Sequence, residues 1–331
     1  MALRLEKVAC APKLCTWHNM VSMDRTVAQS FGVNWTAAGA LQRIARNSLA
    51  EARSAIFDPD KPDNEAVHDF RRAMKRWRAL LRLIEPLVGA DARTLRDEAR
   101  DLAGALAGAR DPQSALDALA DIEKHGSPLS ARSMARLRER VQEIRRRAET
   151  RLDVDLRRRF GAALDRAGTA LELWPLDAIT SAELAHQLAR GYGRARSLVP
   201  VDWQAATAEE LHELRKRVVI HRYQIEIAEE FWPRFVKMWA GETQRLRERL
   251  GKHQDLLVLG NLTGPHHPLA RWRSRLVPAV KERQAAHVAA AARLAARLFY
   301  EKPRNFERRL VALSATEGPD HADQDAGHKL H

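Results

Sequence analysis

The stretch His68-Asp69-Phe70-Arg71-Arg72-Ala73-Met74-Lys75-Arg76-Trp77-Arg78-Ala79-Leu80-Leu81-Arg82 decides the fold class. Six Lys and Arg side chains stand in it against a single acid, Asp69. At about 100° per residue, His68, Arg71, Arg72, Lys75, Arg78 and Arg82 share one face of a helix. Phe70, Trp77, Leu80, Leu81 and Ile84 take the remainder. Like charges one turn apart destabilise an isolated helix by a few tenths of a kcal/mol per pair. A stripe of this density implies a partner that more than offsets the repulsion, and a dense polyanion is such a partner.

The pattern occurs twice. His212-Glu-Leu-Arg215-Lys216-Arg217, continuing to His221-Arg222-Tyr223, repeats the His-x-x-Arg-[Arg/Lys] spacing. His68 and His212, Arg71 and Arg215, Arg72 and Lys216, and Arg78 and Arg222 are each 144 residues apart. The same offset relates Leu106 to Leu250, Asp111 to Asp255 and Arg46 to Arg190. A constant register over so many positions reads as two copies of one helical unit. The expected fold is all-α, two four-helix bundles related by pseudo-twofold symmetry. The first is expected at 34–172 and the second at 173–312, with a flexible segment at 1–33 and a disordered tail at 313–331.

Outward from the basic stretch, apolar residues at helical spacing (Leu41, Ile44, Ala45, Leu49, Ala52, Ile56) predict a preceding helix. Asp63 or Asn64 is the expected cap of the basic helix, and Pro86 with Gly89 its expected stop. Helices are then expected over 91–109 and on to Lys124. Ser127-Pro128 opens one long charged helix from Leu129 to about Ala170. In the second copy Ser181 caps one helix, and Thr207-Ala-Glu-Glu210 is a capping box for the second basic helix. Trp232-Pro233 ends that helix, and Gly264-Pro-His-His-Pro268 precedes an Ala-rich helix over 269–300. No alternating β-branched pattern predicts a strand.

Composition sets the outer limits. With 45% hydrophobic and 30% charged residues in 331, the chain is globular. Lys and Arg number 56 against 43 Asp and Glu, a formal charge of +13. An Arg-rich surface alone gives such a balance, so the one-sided stripes carry the argument for an anionic partner. Cys10 and Cys15 lack companion metal ligands and point to reduced thiols in a cytoplasmic protein. No apolar run reaches the length of a membrane span, and no secretory signal is expected.

Val67-His68, Arg71, Lys75-Arg76 and Arg78, then Leu211-His212, Arg215-Lys216-Arg217, Arg222-Tyr223 and Glu226, resemble the CHAD domain, the conserved histidine α-helical domain. Leu106 with Arg110-Asp111, and Leu250-Gly251 with Asp255, are similar to that family's later motifs. The resemblance spans about residues 37–300. It implies a basic central pore or groove that binds inorganic polyphosphate without catalysis, and an association with polyphosphate granules. Two departures stand out: Val219 replaces the usual Lys of the second repeat, and His221 replaces an aliphatic residue. Arg217 or His221 is the candidate substitute for the missing cation. The Glu-x-Glu-x-Lys signature of the CYTH phosphohydrolases, to which many family members are fused, does not occur in the sequence.

The expected polyphosphate-binding residues are Arg46, His68, Arg71, Arg72, Lys75, Arg78 and Arg82 from the first copy. Arg190, His212, Arg215, Lys216, Arg217 and Arg222 come from the second. Arg offers a bidentate fork and Lys a point charge to phosphate oxygens. His68 and His212 are expected in the first turn of their helices, where free N–H groups favour anions. The competing account has the cations paired internally with acids such as Asp111 and Asp255, and the histidines capping their own helices. No metal and no cofactor are expected. A nucleic-acid backbone is the alternative partner, and Trp77, Trp232 and Tyr223 would be its stacking groups. Trp77 lies opposite His68, which favours core packing. A metal-dependent phosphohydrolase built on His68-Asp69 is the remaining alternative, but it needs ligands the sequence does not supply.

Overall fold

The computed structural model describes residues 37–106, 110–148, 152–230 and 232–316. The expected flexible segment at 1–33 and the tail from 317 lie outside the described residues. Among the described residues every regular element is helical. They run α1 (Ala37–Phe57), α2 (Asp63–Val88), α3 (Ala90–Ala105), α4 (Arg110–Lys124), α5 (Ala131–Ala148) and α6 (Val154–Leu173). Then follow α7 (Ser181–Arg196), α8 (Ala208–Ile227), α9 (Pro233–Leu262), α10 (Arg273–Leu298) and α11 (Pro303–Thr316). None of the described helices is long and apolar enough to cross a membrane.

Several boundaries differ from the sequence reading. Pro86 does not stop α2, which runs two residues further to Val88 and closes where Gly89 takes φ 93°. A proline in the last turn removes only one N–H, whereas a positive φ ends the helix and suits glycine. The cap position is Pro62, so Asp63 caps nothing; its carboxylate instead accepts from the Leu152 amide at 3.1 Å and from Arg157 at 3.2 Å. The expected helix from Leu129 to Ala170 is two helices, because Asp153 accepts from the Leu156 amide at 2.7 Å and starts α6. Thr180, not Ser181, caps α7, through a reciprocal box with Glu183. The Thr207–Glu210 box stands as read. The last helix extends to Thr316, past the expected start of the tail.

The larger core gathers α1, α2, α3 and α6 on one side and α7, α8, α11 and the first half of α9 on the other. Aromatic pairs seat the helices: Phe70 stacks on Phe160 at 4.7 Å, Trp77 on Trp174 at 6.4 Å and Tyr192 on Phe306 at 4.3 Å. Trp77 is 2% exposed, as its position opposite His68 implied. The two groups meet through α2 and α8, both of which bury residues on more than one face. A smaller core lies apart. It joins Ala115, Leu119 and Ile122 of α4 and Leu137 of α5 to Leu256 and Leu259 of α9 and Leu276 of α10. The helices of 110–148, expected inside the first bundle, thus close on the second half of the chain.

Candidate functional site

Four helices bring arginines to one place. Gly89 joins α2 to α3 without a loop, so the last turns of α2 and the first turns of α3 lie side by side. Arg78 and Arg82 leave α2 there, Arg93 and Arg96 leave α3, Arg190 and Arg194 leave α7, and Arg217 leaves α8. Arg82, Arg93, Arg96, Arg190 and Arg194 line a cavity of about 690 Å³ whose floor includes Pro86, Gly89 and Ala90. The arrangement depends on a close approach of α7 to α8. The Cβ of an alanine at Gly191 would sit 2.3 Å from the Gln224 carboxamide oxygen. Gln224 in turn donates to the Ala79 carbonyl of α2 at 3.3 Å.

The electrostatics of this cluster are lopsided. Burial, followed by the charges of Arg96, Arg217, Arg78 and Arg194, pushes the Arg82 guanidinium down to about 10. Burial also lowers Arg78, with Arg100 and Arg96 adding to it, and lowers Arg194, with Arg190 and Arg217 adding to it. All three remain charged at neutral pH, since even a strongly perturbed Arg titrates far above it. Among the described residues, no carboxylate lies within ion-pair distance of Arg82, Arg190, Arg194 or Arg217. The one acid lining the cavity is Glu85. It binds Arg93 Nε at 2.7 Å and also pairs with Arg96. Burial pushes its carboxyl up, but the hydrogen bonds and charges of Arg93 and Arg96 override this and hold it below the usual carboxylate range.

The structure sorts the expected site residues. It brings Arg78, Arg82, Arg190 and Arg217 into the cluster. Arg46 is elsewhere, held by both oxygens of Glu172 at 3.0 Å on α6. Arg72 pairs with Asp69 at 3.1 Å, Lys216 pairs with Glu213, and Arg222 pairs with Glu226 at 2.6 Å while covering the Tyr223 ring. Arg71 donates to the Leu106 carbonyl at 2.6 Å. Arg215 lies against Gly251, one residue beyond the counterpart of Leu106. His68 and Lys75 are exposed and His212 is half-buried. Because α2 starts at Asp63 and α8 at Ala208, both histidines fall in the second turn. The N–H groups of the first turn are therefore not beside them, which corrects the helix-terminus argument.

His221 does not replace the missing lysine. It is 1% exposed, accepts from Trp239 Nε1 at 3.0 Å, and is pushed down to about 4 by burial, so it is neutral. Arg217 is the cation that reaches the cluster. Sequence reasoning missed Arg93, Arg96 and Arg194 as site residues, and missed Glu85 altogether. Arg93, Arg96 and Arg100 at three- and four-residue spacing put one cationic face on α3, and that periodicity was the available signal.

Among the described residues no group of three or more His, Cys, Asp or Glu could hold a metal ion. A search of curated proteins found no match. Among solved structures, the chain is similar to the crystal structure of the CHAD domain from the plant Ricinus communis, at 20% identity and a TM-score of 0.48. That match covers 86% of this chain and 93% of the other. The family model described as the CHAD domain matches residues 38–264, more than half of the sequence. With its paired histidine–arginine helices and its arginine-walled cavity, the chain belongs to the CHAD domain family.

Proposed function

We propose that the arginine-walled cavity binds inorganic polyphosphate and that the chain does so without catalysing a reaction on it. The observation that carries this reading is Arg82, desolvated among Arg96, Arg217, Arg78 and Arg194 with no carboxylate in ion-pair distance among the described residues. Buried like charges are costly unless a counter-charge arrives. A linear run of phosphates offers several anionic oxygens in a row, and Arg forks take them in bidentate pairs. Arg78, Arg93 and Arg190 extend the cationic surface along α2, α3 and α7. The reading places the chain in the cytoplasm, where polyphosphate granules form.

A nucleic-acid backbone is less well served. Two of the three aromatic groups that would stack bases are spent in the core, Trp77 at 2% and Trp232 at 4% exposure, and the half-buried Tyr223 is covered by Arg222. No aromatic side chain lines the cavity among the described residues. The test is a calorimetric titration with polyphosphate of defined length at two salt concentrations, repeated with Arg82→Ala/Arg194→Ala. Affinity should fall as salt rises and be lost in the double variant. Retention of affinity in that variant would move the site elsewhere. Displacement of polyphosphate by single-stranded DNA at equal phosphate concentration would favour the nucleic-acid reading.

A further inference from the structure

Glu85 sits where an anion would. Its carboxylate bridges Arg93 and Arg96, its side chain is 17% exposed, and it is the single acid among the five arginines lining the cavity. Arg96 is 15% exposed and spends its charge on Glu85, while Arg78 and Arg82 both feel it as a neighbouring cation. Two arginines of the site are therefore already occupied when no ligand is present. Arg82, Arg190 and Arg194 have no such occupant among the described residues.

We propose that Glu85 is an internal competitor for the anion, one that an incoming ligand must displace from Arg93 and Arg96 to fill the cavity. The inference rests on the anion-binding reading of this cavity. Its consequence is selectivity by charge density. A ligand that evicts Glu85 loses two charge-assisted hydrogen bonds and must return at least as many. It must also tolerate a freed carboxylate nearby. Adjacent phosphates joined through one oxygen can contact both guanidiniums at once. A sulfate ion or a single phosphodiester, set apart from the next by a sugar, can replace the two bonds of Glu85 but brings no neighbouring charge to outweigh the freed carboxylate. Glu85 thus sets a threshold that polyphosphate passes and sparser anions fail.

The test compares the full chain with Glu85→Gln, titrated with long-chain polyphosphate, oligo-dT and sulfate. The expected result is a gain of about tenfold for oligo-dT and sulfate and a smaller gain for polyphosphate, so that the preference for polyphosphate narrows. Unchanged affinities and an unchanged preference would overturn the inference while leaving the polyphosphate reading standing. If polyphosphate binds neither protein but sulfate binds the variant more tightly, the polyphosphate reading falls and the role of Glu85 stands. Binding of no anion by either protein overturns both. Should Glu85→Gln fail to fold, Glu85→Asp, one methylene too short to span both arginines, is read in the same way.

Discussion

The Gln224 carboxamide donates to the Ala79 carbonyl at 3.3 Å, tying α8 to α2 inside the protein, while its oxygen rests against Gly191 of α7. Three helices that carry arginines of the cluster are therefore registered by one buried side chain. Gly191→Ala would place a methyl group 2.3 Å from that oxygen. The side chain must turn away and release Ala79. We expect a destabilisation of about 1–3 kcal/mol, measured by urea unfolding, together with weaker polyphosphate binding because Arg190 and Arg194 shift with α7. Wild-type affinity in this variant would show that the helix register does not matter to the site.

Arg82→Ala separates binding from stability. The arginine is desolvated among four like charges, so its removal relieves repulsion in the ligand-free chain. Polyphosphate affinity should drop at least about tenfold. The melting temperature without ligand should hold or rise. A fall in melting temperature would mean that an unseen anion or a packing role of the aliphatic stem outweighs the repulsion.

Asp121 concentrates charge in the smaller core. It is 6% exposed and meets Lys252 at 3.3 Å, Arg283 at 2.9 Å and His287 Nε2 at 2.8 Å, so α4, α9 and α10 converge on one carboxylate. Burial raises its carboxyl, but the bonds from Arg283, His287 and Lys252 override that and hold it far below the ordinary range. Asp121→Asn leaves the largely buried Arg283 without its counter-charge. A loss of about 3 kcal/mol in unfolding free energy is expected. The cavity arginines stand on helices of the larger core, and polyphosphate affinity should be unchanged.

His221 predicts an acid limit. Its imidazole is fully enclosed by Tyr192, Trp239, Phe299 and Phe306, and burial pushes it down to about 4. The unfolded chain takes up this proton near pH 6.5, before the folded chain does. Above that pH the group is neutral in both states and costs nothing. Between about pH 6.5 and 4, stability should fall with acidification, by up to about 3 kcal/mol from this residue. Urea midpoints measured over that window for wild type and His221→Leu check it. The variant, though less stable at pH 7, should show the shallower slope.

Some of this was legible in the sequence and some was not. The helical class, the basic stripe of α2 and the capping box at Thr207 follow from spacing alone. The 144-residue offset drew attention to matched cations, yet most of the clustered arginines are unmatched. Arg82, Arg96, Arg194 and Arg217 fall opposite Glu226, Ala240, Ala50 and Ala73. A repeat points to what two halves share, and here each half contributes cations that the other lacks. Arg46 shows the same limit from the other direction: its counterpart Arg190 lines the cavity, but α6 supplies Glu172 and neutralises Arg46. Which carboxylate reaches which arginine depends on helices distant in sequence, and periodicity along one helix contains no such information. The split of α5 from α6 was missed because a single cap, Asp153, lies in an otherwise unbroken charged run.

The thirty-residue α9 is uninterrupted where α3 and α4 are separate helices. Its Leu246 and Leu250 belong to the larger core and its Leu256 and Leu259 to the smaller one. A rigid rod shared by both hydrophobic interiors acts as a mechanical strut. Neither interior can melt without fraying a helix that the other holds in place, so heat should dissolve them together, in one cooperative calorimetric peak.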